Sequence, residues 1–146
     1  MTQLVDRLAT PRRLGVTGAG LVAVLALVTM NAIYGGVGLI RDGMGMPQEW
    51  LASMPLHSWA FGGAALLLTV AVPQAVTGWL VLARHPRAAA VALLAGGLLV
   101  GWIVVELLVL RRYFFLQPLV AVLGAAECAL AWRWSSTAGQ QPLPPG

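Results

Sequence analysis

The apolar stretch over residues 88–110 constrains the fold of this chain more than any other feature. It carries one charged side chain, Glu106, and two arginines, Arg111 and Arg112, follow it directly. A helix over these residues would rise about 34 Å at 1.5 Å per residue, enough to cross a hydrocarbon core of about 30 Å. Three further apolar runs have about the same length. They cover residues 14–40, 59–83 and 113–132.

The composition agrees with lipid as the main solvent of the chain. Of its 146 residues, 59% are hydrophobic and only 10% are charged, whereas about a quarter of the residues in soluble proteins are charged. We therefore predict an all-α protein, a bundle of four transmembrane helices within a membrane domain at 14–134. A basic head precedes it at 1–13. A Ser/Gln/Pro-rich tail at 135–146 is predicted to be disordered, because it has too little apolar surface to bury.

The arginines predict the orientation of the bundle. Six of them fall in the head, in the turn at 84–87 and at Arg133 next to the tail, and three fall on the opposite side, at Arg41, Arg111 and Arg112. Since basic residues collect on the cytoplasmic side of a membrane protein, we expect both termini to be cytoplasmic.

Several functional classes lack the residues that they require. The pI near 10.7 does not indicate nucleic-acid binding, because the arginines lie singly or in pairs at the ends of apolar runs rather than in one patch. Cys128 is the only cysteine, which excludes an internal disulfide and a cysteine zinc site. No phosphate-binding loop, zinc-protease motif or Ser/His/Asp set is found. We expect no metal and no cofactor.

Glu106 is the first candidate for a functional group. It lies about 6 Å inside the outer boundary of its helix, and Tyr34 and Asn31 of the first helix lie about 9 and 13 Å inside the same boundary. The candidate polar pocket consists of Glu106, Tyr34, Asn31, Trp102 and Gln117. The alternative is structural, since a carboxylate near a helix end can pair with Arg41, Arg111 or Arg112, or simply be protonated.

A second polar cluster is predicted near the cytoplasmic side. Glu127 and Thr77 are expected at a depth of about 7–9 Å, with Gln74 deeper, beneath a kink that Pro73 produces in the second helix. Pairing of Glu127 with Arg84 or Arg133, or its simple protonation, is again the structural alternative.

Small residues predict where helices pack. Gly97 and Gly101 are four residues apart on the third helix, a spacing that permits close approach of a second helix in lipid. Glu106 lies about 140° round from Gly101, so we expect this helix to have neighbours on two sides and to be central in the bundle. Gly124 belongs to a comparable small-residue face on the fourth helix.

Four short motifs carry a resemblance to a known group. They are Tyr-Gly-Gly-Val-Gly-Leu at 34–39, Gly-Met-Pro-Gln-Glu-Trp-Leu at 45–51, Gly-Trp-Ile-Val-Val-Glu at 101–106 and Leu-Gln-Pro at 116–118. Over residues 30–132 the chain resembles small, uncharacterised four-helix integral membrane proteins of actinobacteria. The resemblance implies a multi-pass protein of the bacterial plasma membrane. It implies no reaction.

Three functional hypotheses follow. The preferred one is a non-enzymatic accessory or subunit that packs through small-residue faces, with membrane lipid around it and a second copy or a larger membrane complex as partner. The alternative is a small transporter or lipid-pocket protein in which Glu106 takes up a proton. An enzyme acting on a lipidic substrate with Glu106 as acid and base is disfavoured, because no second titratable group is assured nearby.

Overall fold

The structure, a computed structural model, describes residues 14–53, 55–111, 113 and 116–138. Nearly all of them are helical, and no strand occurs among them. The all-α class predicted from the sequence is therefore confirmed. The predicted head at 1–13 and residues 139–146 of the predicted tail lie outside the described residues.

Four long helices carry the fold. Helix α1 covers Gly15–Asp42 and α3 covers Ala88–Leu110. Helix α2 is continuous from Trp59 to Leu82, as two α-helical pieces joined by a π-helical turn. Helix α4 covers Leu116–Ala138, so it begins three residues later and ends six residues later than the run predicted at 113–132.

Three of the four helices are long and apolar enough to cross a membrane. Their spans are Gly15–Gly45, Trp59–Leu82 and Ala88–Val109. Helix α4 has 23 residues, a sufficient length, but it is not among the three, since Gln117, Glu127 and the serines after Trp134 lower its apolar content. The chain thus has the build of a multi-pass membrane protein with at least three membrane-capable helices.

The helices form a ring in which consecutive helices are neighbours and α4 packs back against α1. Helix α3 therefore has neighbours on two sides, α2 and α4, although the Gly97/Gly101 face that suggested one of them does not contact either helix. It is not central, however, because each of the four helices occupies one corner. Helices α2 and α4 lie diagonally across the bundle from each other.

The second helix changes its winding just before Pro73. Residues Leu67–Ala71 form a π-helical turn, in which the N–H of Val72 donates to the carbonyl of Leu67. Proline has no N–H to donate and its ring clashes with the preceding turn, and a π-helical turn relieves both problems. The sequence predicted a kink at Pro73, and the structure shows a π-helical turn directly before that proline.

Glycines permit two close helix crossings. Gly36 of α1 lies against Gly63 of α2, where a methyl group on Gly36 would come within 2.6 Å of Leu67. Gly96 of α3 lies against Gly124 of α4, where a methyl group on Gly96 would come within 2.7 Å of Cys128 Sγ and 3.0 Å of the Gly124 carbonyl.

The interior contains two separate apolar clusters. One lies at the end of the bundle that holds the 83–87 turn, and the other lies farther towards the opposite end. The first consists of Leu21, Leu25, Val81, Ala88, Ala92 and Ala131. The second consists of Val28, Ala32, Val70, Ala71 and Leu99.

The outer surface is apolar as well. Leucine, valine and methionine side chains with half or more of their surface exposed occur on all four helices. Examples are Met30 at 72%, Leu68 at 69%, Leu108 at 70% and Val122 at 64% exposed. A soluble monomer rarely exposes so much contiguous apolar surface, whereas a protein surrounded by lipid does so on every side.

Candidate functional site: a buried polar layer

Three polar side chains form a layer between the two apolar clusters. Gln74 and Thr77 lie on α2 between Ala71 of one cluster and Val81 of the other, and Glu127 lies on α4 one turn before Ala131. Their side chains are almost completely buried, with exposed fractions of 1% for Gln74 and 0% for Thr77 and Glu127. Such burial of a carboxylate is unusual unless it is paired.

A hydrogen bond joins the diagonal helices through this layer. The amide nitrogen Nε2 of Gln74 donates to Oε2 of Glu127 over 2.8 Å. Thr77 is satisfied within its own helix, because its hydroxyl donates to the carbonyl of Pro73 over 2.6 Å. The sequence assigned Gln74, Thr77 and Glu127 to one cluster, and the structure brings the first and the third into direct contact.

Two oxygens of the layer have no hydrogen-bond partner. They are Oε1 of Gln74 and Oε1 of Glu127, and both are buried. Buried polar atoms are nearly always paired in folded proteins, and an unpaired one costs roughly 1–3 kcal/mol. The layer is therefore short of hydrogen-bond donors rather than of acceptors.

Glu127 lies farther from the end of its helix than the sequence indicated. It is at the midpoint of α4, which extends from Leu116 to Ala138, so each of these two residues is about 16 Å away along the helix at 1.5 Å per residue. The count of about 7–9 Å from the sequence ended the helix at Trp132. Instead, Ser135 and Ser136 donate their hydroxyls to the Trp132 carbonyl as the helix continues.

No positive charge among the described residues approaches this carboxylate. Within the described part of the chain Glu127 makes no ion pair, and the pairing with Arg84 or Arg133 weighed from the sequence is not observed; both arginines are exposed. At the same level α1 contributes Leu25 and α3 contributes Ala95, which are apolar. The next residue along α4 is Cys128, a titratable thiol whose Sγ lies 3.8 Å from the Leu93 carbonyl.

The pocket predicted around Glu106 is assembled only in part. Glu106 is partly buried near the C-terminal end of α3, and Gln117 is buried in the first turn of α4. Trp102 packs on the apolar cluster around Leu99.

The two residues that α1 was expected to contribute, Asn31 and Tyr34, are instead exposed, Tyr34 to 73%. Ala32 and Gly36 occupy the inward face of α1 in their place.

Tyr34 lines a different feature, an open groove along the outward face of α1. Met30, Val37, Arg41 and Met44 also line that groove, and neither Glu106 nor Asn31 does. No hydrogen bond or ion pair of Glu106 to another described residue is observed, so the pairing with Arg41 or Arg111 is not observed either; Arg112 lies outside the described residues.

The predicted packing glycines are divided between two faces. Gly124 packs inside the chain against Gly96, a residue that the sequence had not singled out. Gly97 and Gly101 are exposed, and a methyl group on either would meet nothing within 4 Å. They do not contribute to packing among the described residues.

Comparison with protein-family models, curated proteins and solved structures finds no match to this chain. The functional argument therefore depends on the molecule's own geometry.

Proposed function

We propose that this chain is a non-enzymatic subunit or accessory protein of the bacterial plasma membrane that self-associates through α3. In this proposal α4 is the fourth span, both termini are cytoplasmic, and lipid covers the remaining outer surface. The arginine distribution supports the orientation. The antiparallel packing of α4 between α1 and α3 supports its placement in the bilayer.

The outward position of Gly97 and Gly101 carries the proposal. These glycines occupy one face of a helix whose other glycine, Gly96, already makes a close contact inside the chain. Helices in lipid gain no hydrophobic energy from meeting, so they associate where small residues let their backbones approach. The chain itself uses this device twice, at Gly36–Gly63 and at Gly96–Gly124.

A second copy of the chain is the partner that this face suits. In a two-fold symmetric dimer each α3 presents the same surface to the other, so one stripe of small residues supplies both sides of the contact. The flanking residues Leu94, Leu98, Val104 and Leu108 are exposed and uncharged, and they would pack around the glycines.

Self-association in lipid vesicles tests the proposal. Energy transfer between differently labelled copies should rise as the protein-to-lipid ratio rises, and Gly97→Leu or Gly101→Leu should lower the associated fraction several-fold. The matched control is Ala26→Leu, which enlarges an exposed small residue of α1. A protein that stays monomeric at every ratio, or a Gly97→Leu variant that associates as well as the parent, would contradict it.

A further inference from the structure

We propose that Glu127 is an internal proton-binding site and that the bound proton lies on Oε1, between the carboxyl group and the side-chain amide of Gln74. The proton comes from bulk water and forms an O–H bond at Oε1, which removes the charge of the carboxylate. This inference does not depend on self-association through α3. It moves the protonatable group of the transport hypothesis from Glu106 to Glu127.

The unpaired oxygens carry the inference. An ionised carboxylate can only accept hydrogen bonds, and Glu127 accepts one on Oε2 from Gln74 while its Oε1 accepts none. The Gln74 oxygen is also an acceptor without a donor. One proton on Glu127 Oε1 supplies the missing donor to Gln74 Oε1. The acid and the amide are then joined by two hydrogen bonds in a ring, and neither oxygen is left unpaired.

The surroundings of the pair favour a neutral group. Apolar clusters close the layer on both sides, and neither α1 nor α3 brings a cation to it. A charged side chain at the centre of a transmembrane helix costs roughly 2.5–3.5 kcal/mol on insertion scales. A carboxyl group placed in such a site without a cation takes up a proton instead of remaining charged.

A metal cation fits the layer less well than a proton does. Two side-chain oxygens of the layer lack a partner, and the Glu127 Oε2 and Thr77 hydroxyl oxygens, each already in one hydrogen bond, would bring the side-chain ligands to four. Hard cations take about six or more oxygen ligands, and no group of three or more acidic, cysteine or histidine residues that would hold a metal occurs in the described part of the chain.

Infrared spectroscopy of the full chain in lipid vesicles tests the proposal directly. At neutral pH the parent should show the C=O stretch of a protonated carboxylic acid. Glu106→Gln, the matched control, should retain a band, and adding Glu127→Gln to that variant should remove it. A parent spectrum without the band, or a band that survives Glu127→Gln in the Glu106→Gln variant, overturns the proposal.

A second variant keeps the test decisive if Glu127→Gln does not fold. Gln74→Leu removes the amide while leaving the carboxyl group, so the acid band should move to higher frequency as its hydrogen bonds are lost. An unmoved band means that Gln74 is not the partner of the proton. Thermal unfolding in sodium salt and in choline salt tests for a metal cation. If the Tm of the parent is higher in sodium and Glu127→Gln abolishes that difference, a metal cation and not a proton occupies the layer.

Discussion

Glu106 and Glu127 are both single carboxylates in apolar helices, yet they occupy opposite kinds of environment. Glu127 is fully buried at the middle of its helix and is bonded to Gln74 across the bundle. Glu106 is partly buried near a helix end and bonds to no described residue. The difference shows that a charged residue inside an apolar run identifies only a possible site. Whether a polar site forms there depends on how deeply the residue is buried and on whether another helix supplies a hydrogen-bond partner.

The same contrast occurs between two adjacent glycines of α3. Gly96 faces inward and contacts α4, while Gly97 faces outward with nothing within 4 Å. Successive residues of a helix point about 100° apart, so one residue position separates a packing contact within the fold from a surface available to another molecule. The inner face of α3 holds the fold together, and the outer face is open to a partner.

Truncating the two carboxylates in turn should give the largest difference in the free energy of unfolding. Glu127→Ala leaves the buried Gln74 amide without a partner and opens a cavity, so we predict a loss of about 2–4 kcal/mol in the free energy of unfolding. Glu106→Ala removes no hydrogen bond to a described residue and should change it by less than about 0.5 kcal/mol. Unfolding in mixed detergent micelles measures both. Equal losses would erase the distinction between the two sites.

Enlarging Gly96 and Gly97 in turn should give a somewhat smaller difference in the free energy of unfolding. Gly96→Leu drives a side chain into Cys128 and the α4 backbone, and we predict a loss of about 1–3 kcal/mol. Gly97→Leu projects outward and should leave the free energy of unfolding of the monomer within about 0.5 kcal/mol of the parent. The comparison is made at low protein-to-lipid ratio, where association does not contribute. Comparable destabilisation by both variants would mean that α3 is rotated from the position described here.

The sequence predicted the helices well and their faces less well. Long apolar runs specify membrane-capable helices because only a helix satisfies its own backbone in lipid. Gly96 and Gly97 are equally small, however, and each has an apolar or small residue four positions later. Only the position of Gly124 on α4 determines which of them is buried, and a single helix sequence does not contain that information.

The polar residues also show that the sequence alone does not determine which way a side chain faces. Gln74 and Glu127 were assigned to one cluster because their positions along the helices are compatible. Asn31 and Tyr34 met the same depth criterion with Glu106, yet they face away from it. Depth along the membrane follows from counting residues, whereas rotation about the helix axis follows from packing, as at Ala32 and Gly36, which occupy the inward face of α1.

A double-mutant cycle on Gln74 and Glu127 tests directly whether a buried pair joins the diagonal helices α2 and α4. Gln74→Leu, Glu127→Leu and the double variant are compared with the parent by detergent unfolding. Polar pairs inside membrane proteins couple by about 0.6 kcal/mol on average and up to about 1.7 kcal/mol. For this fully buried pair we predict a stabilising coupling of about 1 kcal/mol or more. Losses that add to within about 0.3 kcal/mol would show that the two side chains do not act as a pair.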